Sequence, residues 1–266
     1  MTHEFAITRG SERLNVQVQS PAPDQLAPHP LLLLNLSSDR QSSVAGGLFG
    51  EPAKLFLQHG HHVASFDLPA HGERVDQYGS GLEGLCARFV AGYDPFLQFV
   101  ADGRAVIDEC IRRGWGEKGR IVVCGVSRGG YFAIRLAADD DRIVAVAGLA
   151  PVTDWRNLTE FSSAKERKDV ADLALDHFVK PLAGRRVYVA IGNSDRRVGS
   201  EASARFALSL LEEEARRGIS QSKIRFLVVD DSAGHKLEDR WRVEGAKFLL
   251  DPTDTAARIP PRSALP

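Results

Sequence analysis

Residues 120–138 hold the tightest constraint on what this chain can fold into. Arg120-Ile-Val-Val-Cys124 is an apolar, β-branched run, Gly125-Val-Ser127-Arg128-Gly-Gly130 follows it without a spacer, and Tyr131-Phe-Ala-Ile-Arg-Leu-Ala-Ala138 reads as a helix. A strand that turns into a helix within so few residues forces backbone against backbone two positions either side of the turn, where only glycine leaves room. The side chain at the apex, Ser127, then stands clear at the carboxyl edge of a sheet, above the free N–H groups of the helix start. Gly-x-Ser-x-Gly in this setting is the nucleophile-elbow pattern. Glycine-rich turns of this kind also bind phosphate, but no lysine follows the glycines here as a P-loop requires.

The rest of the chain alternates strands with helices around that turn. Residues 4–9 and 13–19 alternate apolar and polar side chains about Arg9-Gly10-Ser11-Glu12, which predicts an N-terminal hairpin. Leu31-Leu-Leu-Leu-Asn35-Leu36 and His62-Val-Ala-Ser-Phe-Asp67 are strands of a buried sheet, with a helix over 51–59 between them. Asp94-Pro95 caps an amphipathic helix to about Arg113, with Phe96, Phe99, Val100, Val106, Ile107 and Ile111 on its inner side. Beyond the elbow come strands at 142–149, 186–191 and 223–229, a helix over 201–217 and a closing helix over 236–250. Residues 73–92 are glycine-rich and weakly patterned, which predicts a long surface excursion. Residues 152–183 are polar and helix-prone and form a small cap insertion. The fold class is therefore α/β: a mostly parallel central sheet with helices on both faces and an antiparallel hairpin at its N-terminal edge. One domain over 1–250 is expected, followed by a loosely attached, proline-containing tail over 251–266.

Composition narrows the function classes. The chain has 34 basic and 35 acidic residues, so no global field favours nucleic acid or an anionic membrane. Its longest apolar stretches are too short to span a bilayer, and its first residues lack the basic-then-apolar signature of a secretory signal. Cys86, Cys110 and Cys124 show no metal spacing and read as buried thiols, in keeping with a cytoplasmic, reducing compartment. The oligomeric state is left open.

A serine hydroxyl needs an adjacent base to act as a nucleophile, and histidine is the usual one. Of eight histidines, His235 lies on a loop directly after the last strand, in Val229-Asp-Asp-Ser-Ala-Gly234-His235, where it can swing over the carboxyl edge toward Ser127. The base needs a carboxylate to orient it. Asp195, in Ile191-Gly-Asn-Ser-Asp195, follows the preceding strand and ranks above Asp154, which follows the strand after the elbow. Asp230 and Asp231 are too close in sequence to reach the far nitrogen of His235.

Ser127, Asp195 and His235 occur in the order Ser…Asp…His, each after a separate strand, and with this order the chain resembles the α/β-hydrolase fold family over nearly its whole length. Within that family it is most similar to the dienelactone-hydrolase and prolyl-oligopeptidase-like serine esterases. The doubled glycine after the elbow, the Gly-x-x-Asp-x-x-Val run at 192–198, the Gly234-His235 pair and the Asp67-Leu-Pro-Ala-His-Gly72 turn carry that resemblance. It implies an oxyanion hole made by the backbone N–H of Arg128 and by one from Leu36 or Ser37, where many relatives carry His-Gly and this chain reads Asn35-Leu36-Ser37-Ser38.

The side chain of Arg128 could clamp an acidic substrate group, but the elbow needs only its backbone amide, and pairing with a surface carboxylate is the expected state. His71 is expected to cap its turn or to enter the rim of the site. Asn35, Trp155, Phe161 and Phe178 are candidates for lining a substrate pocket, with packing onto the sheet as the competing role. These readings lead to a serine hydrolase acting on small or medium carboxylic esters, with no metal or organic cofactor. The alternatives are a thioesterase or acyltransferase with the same triad, a peptidase of the prolyl-oligopeptidase type, or a non-catalytic binding protein of the same fold.

Overall fold

The computed structural model describes residues 1–10, 12–230, 234–235 and 238–251. Its strands are β1 (Thr2–Arg9), β2 (Glu12–Gln19), β3 (Leu32–Leu36), β4 (His62–Phe66), β5 (Ile121–Val126), β6 (Ile143–Leu149), β7 (Arg186–Gly192) and β8 (Ile224–Val229). They form one sheet in the order β1-β2-β4-β3-β5-β6-β7-β8. β1 and β2 make the expected hairpin, with Arg9 opposite Glu12, and β2 runs antiparallel to β4. Every pairing from β4 across to β8 is parallel. All carboxyl ends of these six strands therefore lie on one edge, where an open α/β sheet binds its ligands.

The helices are α1 (Arg40–Val44), α2 (Glu51–Gln58), α3 (Gly81–Val90), α4 (Pro95–Arg112), α5 (Arg128–Asp139), α6 (Lys168–Ala171), α7 (Val179–Leu182), α8 (Ser200–Arg216) and α9 (Asp239–Leu250). Asp94 caps α4 as its sequence position requires, its carboxylate accepting from the N–H groups of Phe96 and Leu97. The closing helix was expected from residue 236. Lys236, Leu237 and the tail over 252–266 lie outside the described residues, as does Asp231.

Side chains alternate along each strand, and the two faces of the sheet receive different partners. Leu32, Leu34, Ile121, Val123, Val187 and Val189 point to the face covered by α3, α4, α5 and α8. Leu33, Val122, Cys124, Tyr188 and Ala190 point to the face covered by α2 and α9. The first face is rich in aromatic contacts: Phe99 and Phe132 lie 4.4 Å apart between ring centroids, and Tyr131 meets Trp155 edge-on at 4.9 Å.

Two sequence expectations change here. Residues 73–92 are not a surface excursion throughout, because 81–90 form α3 and bury Leu85, Cys86 and Phe89. Gly84 is a packing residue: a Cβ there would lie 2.4 Å from the Gly79 carbonyl oxygen. The insertion at 152–183 is built from short helical turns, and its large side chains run into the main core.

Candidate active site

Ser127 sits between β5 and α5 with φ 55° and ψ −118°, a left-handed conformation that costs a residue with a Cβ about 1–3 kcal/mol. Three backbone hydrogen bonds hold it there. Its N–H donates to the Leu149 carbonyl at 2.8 Å, and its carbonyl accepts from the N–H groups of Tyr131 and Val152. The glycines make the turn possible. A Cβ on Gly125 would lie 2.1 Å from the Gly129 carbonyl oxygen, and one on Gly129 would lie 2.2 Å from the Leu36 carbonyl oxygen.

His235 reaches this serine from beyond β8. Its Nε2 lies 2.9 Å from Ser127 Oγ, and its Nδ1 lies 2.8 Å from Asp195 Oδ2. A carboxylate can only accept, so Nδ1 carries the proton and Nε2 is left with its lone pair toward the serine hydroxyl. Asp195 comes from the turn after β7, and its other oxygen accepts from the N–H groups of Arg197 and Val198 at 2.9 and 3.1 Å. Burial opposes the charge of this carboxyl, but His235 and those two amides hold it below the usual carboxylate range. The structure thus brings together Ser127, Asp195 and His235 from three loops at one sheet edge. Asp154 is elsewhere engaged: it caps a helical turn through the Arg156 N–H and pairs with the Arg156 guanidinium at 2.6 Å.

The wall opposite His235 is made by the loops after β3 and β4. Leu36 ends β3 beside Gly125, and its carbonyl abuts Gly129. The Ser37 N–H, one of the two expected oxyanion donors, is already committed to Ser43 Oγ at 3.1 Å. The next amide, that of Ser38, has no acceptor among the described residues. Arg128 opens α5, so its N–H has no partner inside the helix. Two acids, the half-buried Asp39 and the buried Asp67, organise this wall. Asp39 accepts from the Ser42 N–H and both nearby serine hydroxyls, those of Ser38 and Ser42. Asp67 accepts from the Arg40 N–H at 2.8 Å, the Arg40 guanidinium at 2.7 Å and the Glu73 N–H at 2.9 Å, which ties the two loops together.

Arg128 differs from its expected state. Its side chain forms no ion pair among the described residues, and its Nε is buried without a hydrogen-bond partner. His71 is buried, its Nδ1 2.8 Å from the Pro69 carbonyl. Burial and the nearby Arg128 charge push its pKa down and keep the ring neutral.

The pocket candidates are placed as follows. Trp155 and Phe161 are fully buried and meet at a tilt, 5.1 Å between ring centroids, within the aromatic core, so they support the insertion and face no open pocket. Asn35 is buried too, its amide donating to the carbonyls of Ser43 and Phe49, which shapes the β3 loop from within. Phe178 lies under the Arg135 guanidinium and lines a cavity of about 420 Å³ with Phe89, Tyr93, Leu97 and Leu173; none of the three triad candidates lines it. Aromatic composition could not separate these roles, because a core and an apolar pocket ask for the same residue types. Among the described residues no cluster of His, Cys, Asp or Glu could hold a metal ion, and no helix is long and apolar enough to cross a membrane.

Residues 97–250, more than half of the chain, match the sequence model of the prolyl oligopeptidase family. No curated protein matches the sequence. Similar solved structures include Porphyromonas gingivalis dipeptidyl peptidase 4, with a TM-score of 0.69 and 19% identity over 94% of this chain and 35% of that one. A Thermus thermophilus protein aligns with a TM-score of 0.68 and 21% identity over 94% of this chain and 97% of its own. A carbohydrate esterase family 15 glucuronoyl esterase from Caldicellulosiruptor kristjansonii aligns with a TM-score of 0.65 and 16% identity over 93% and 75%. At such identities the likeness is one of fold. The chain spans about a third of the length of the dipeptidyl peptidase.

Proposed function

The chain belongs to the prolyl oligopeptidase family, serine hydrolases of the α/β-hydrolase fold, and from that premise we propose that it cleaves small or medium carboxylic esters through an acyl-enzyme on Ser127. The observation that carries the reading is the hydrogen-bonded chain from Ser127 Oγ through His235 to Asp195. Ser127 Oγ attacks the ester carbonyl carbon while His235 Nε2 takes the hydroxyl proton. Asp195 fixes the tautomer and stabilises the imidazolium. The carbonyl oxygen, now negative, is held by the Arg128 N–H and by an amide of the 36–38 segment. Ser38 is the better placed second donor, since the Ser37 N–H is spent on Ser43. Each such donor is worth about 3 kcal/mol in the transition state. The ester C–O bond breaks as His235 returns the proton to the departing alcohol. Water then gives a proton to the same nitrogen and attacks the acyl carbon, and the acyl–Oγ bond breaks as His235 returns that proton to Ser127, freeing the acid.

An ester substrate is favoured over a peptide by the partners that match across their length. The glucuronoyl esterase is covered over 75% of its chain, whereas the dipeptidyl peptidase is covered over only 35%. Peptide cleavage is the second reading, supported by the family match itself.

A fluorophosphonate probe together with a panel of p-nitrophenyl esters and aminoacyl p-nitroanilides tests both. The wild-type protein is expected to label and to turn over esters. Ser127→Ala should abolish labelling and reduce turnover by at least about 10⁴-fold. Labelling that survives Ser127→Ala overturns the assignment, and anilide turnover above ester turnover transfers it to the peptidase reading.

A further inference from the structure

Arg128 is a basic side chain next to the nucleophile that forms no ion pair among the described residues. Its Nε is buried and unpartnered. The acids whose charge reaches it are Asp39 and Glu160, and both are engaged elsewhere. Asp39 is taken up by Ser38 and Ser42, and Glu160 by the Arg197 guanidinium and the Thr159 hydroxyl. Burial accordingly pushes the Arg128 pKa down, against the help of those two acids. Arg128 is half-buried, and a partly desolvated cation without a counter-charge suits a site that a ligand completes.

The surroundings give the ligand its chemistry and its side. Asp39 and His71 come from the loops after β3 and β4, on the flank of β5 opposite to β7 and β8, which supply Asp195 and His235. His235 must protonate the leaving oxygen, so the leaving alcohol lies toward its own flank. The acyl part then extends toward the flank where Asp39 and His71 stand with Arg128. The guanidinium fork matches a planar carboxylate. Asp39 and Glu160 nearby favour a single negative charge over a doubly charged group; the charge of Arg197 also reaches Arg128 but is paired with Glu160, and His71 is held neutral.

We propose that the Arg128 guanidinium binds a carboxylate on the acyl part of the substrate, so that the enzyme selects half-esters of dicarboxylic acids over neutral esters. This rests on Ser127 being the nucleophile.

The test compares p-nitrophenyl hemiglutarate with p-nitrophenyl butyrate in the wild type, Arg128→Gln and Arg128→Lys, with fluorophosphonate labelling in parallel. The wild type is expected to favour the hemiglutarate in kcat/KM by about 10- to 100-fold, chiefly through KM. Arg128→Gln should collapse the hemiglutarate-to-butyrate ratio by a similar factor, and Arg128→Lys should restore part of it. A second measurement needs no variant: free glutarate should slow labelling of the wild type competitively, whereas uncharged glutaramide should not. Equal rates on the two esters in the wild type, or a ratio unchanged in Arg128→Gln, overturn the carboxylate site while labelling stays intact. Failure of the nucleophile reading has a different signature, no labelling and no turnover of either ester, and takes this proposal with it.

Discussion

On the elbow side of Ser127 the geometry is held by backbone meeting backbone, whereas on the side of the β3 and β4 loops it is held by side chains bonding to backbone. Gly125, Gly129 and Gly130 let the start of α5 press against β5, against the Leu36 carbonyl and against Pro151. No side chain could be placed at these positions without moving the main chain. Across the site, the Asp39–Ser38–Ser42 cluster and the Asp67–Arg40–Glu73 network hold the loops after β3 and β4. Steric constraint of the first kind leaves a mark on residue type, because only glycine satisfies it. Hydrogen bonding of the second kind leaves little mark, because serine, aspartate and arginine find partners in many arrangements.

The two walls meet at Gly129, so the strongest way to break the distinction is Gly129→Ala. Its methyl group would lie 2.2 Å from the Leu36 carbonyl oxygen, with only backbone to yield. A loss of about 3 kcal/mol in stability is expected from the denaturation midpoint, with slowed fluorophosphonate labelling of Ser127. An unchanged midpoint would show that the walls are independent.

Asp67→Asn acts on the side-chain wall alone. The buried Arg40 guanidinium would keep its link to Glu73 but lose its buried counter-charge. The expected cost is about 2 kcal/mol by the same measurement, with slower ester turnover at unchanged Ser127 accessibility to small probes. Stability equal to wild type would mean that the hydrogen bonds still accepted by the single amide oxygen suffice to tie the loops.

The smallest effect is a pH dependence. Burial opposes the charge on Asp39, but the Ser42 N–H and the Ser42 and Ser38 hydroxyls hold its carboxyl below the ordinary value of 3.8. A carboxyl lowered on folding stabilises the protein above its unfolded pKa and loses that contribution as the pH falls through the folded value. Stability is therefore expected to decline as the pH drops below about 4. Asp39→Asn keeps an acceptor for the Ser42 N–H but does not titrate, so its stability should fall less steeply over that window. Asp195 and other carboxyls lowered in the same direction, Asp140 and Asp154 among them, still titrate in that variant, and a slope identical to wild type would assign the effect to them and not to Asp39.

Much of the fold could be read from the chain because burial and chain direction are written in period and punctuation. The hairpin over β1 and β2, the buried runs of β3 to β7 and the capped α4 follow from alternation, from continuous apolar stretches and from Asp94-Pro95. Helix α3 could not be read in this way. Gly79, Gly81 and Gly84 resemble loop residues in sequence, and the role of Gly84 as a close-packing position exists only once the helix is folded back on its own turn. The pocket candidates show the same limit: Trp155 and Phe161 are apolar and bulky whether they fill a core or line a cleft, and their rings lie in the core.

The candidate site divides along the same line. By itself the sequence determined the elbow at Ser127 and the rank order of Asp195 and His235. The elbow depends on glycine at fixed spacing, and the partners depend on the strand after which each loop emerges. Only the tertiary structure decided which loop amides are already spent and which charges are paired. The Ser37 N–H is taken by Ser43, and Arg128 forms no ion pair among the described residues although carboxylates are near. Both outcomes depend on where side chains from separate loops end relative to one another, a matter of ångströms across the sheet edge that no spacing along the chain encodes.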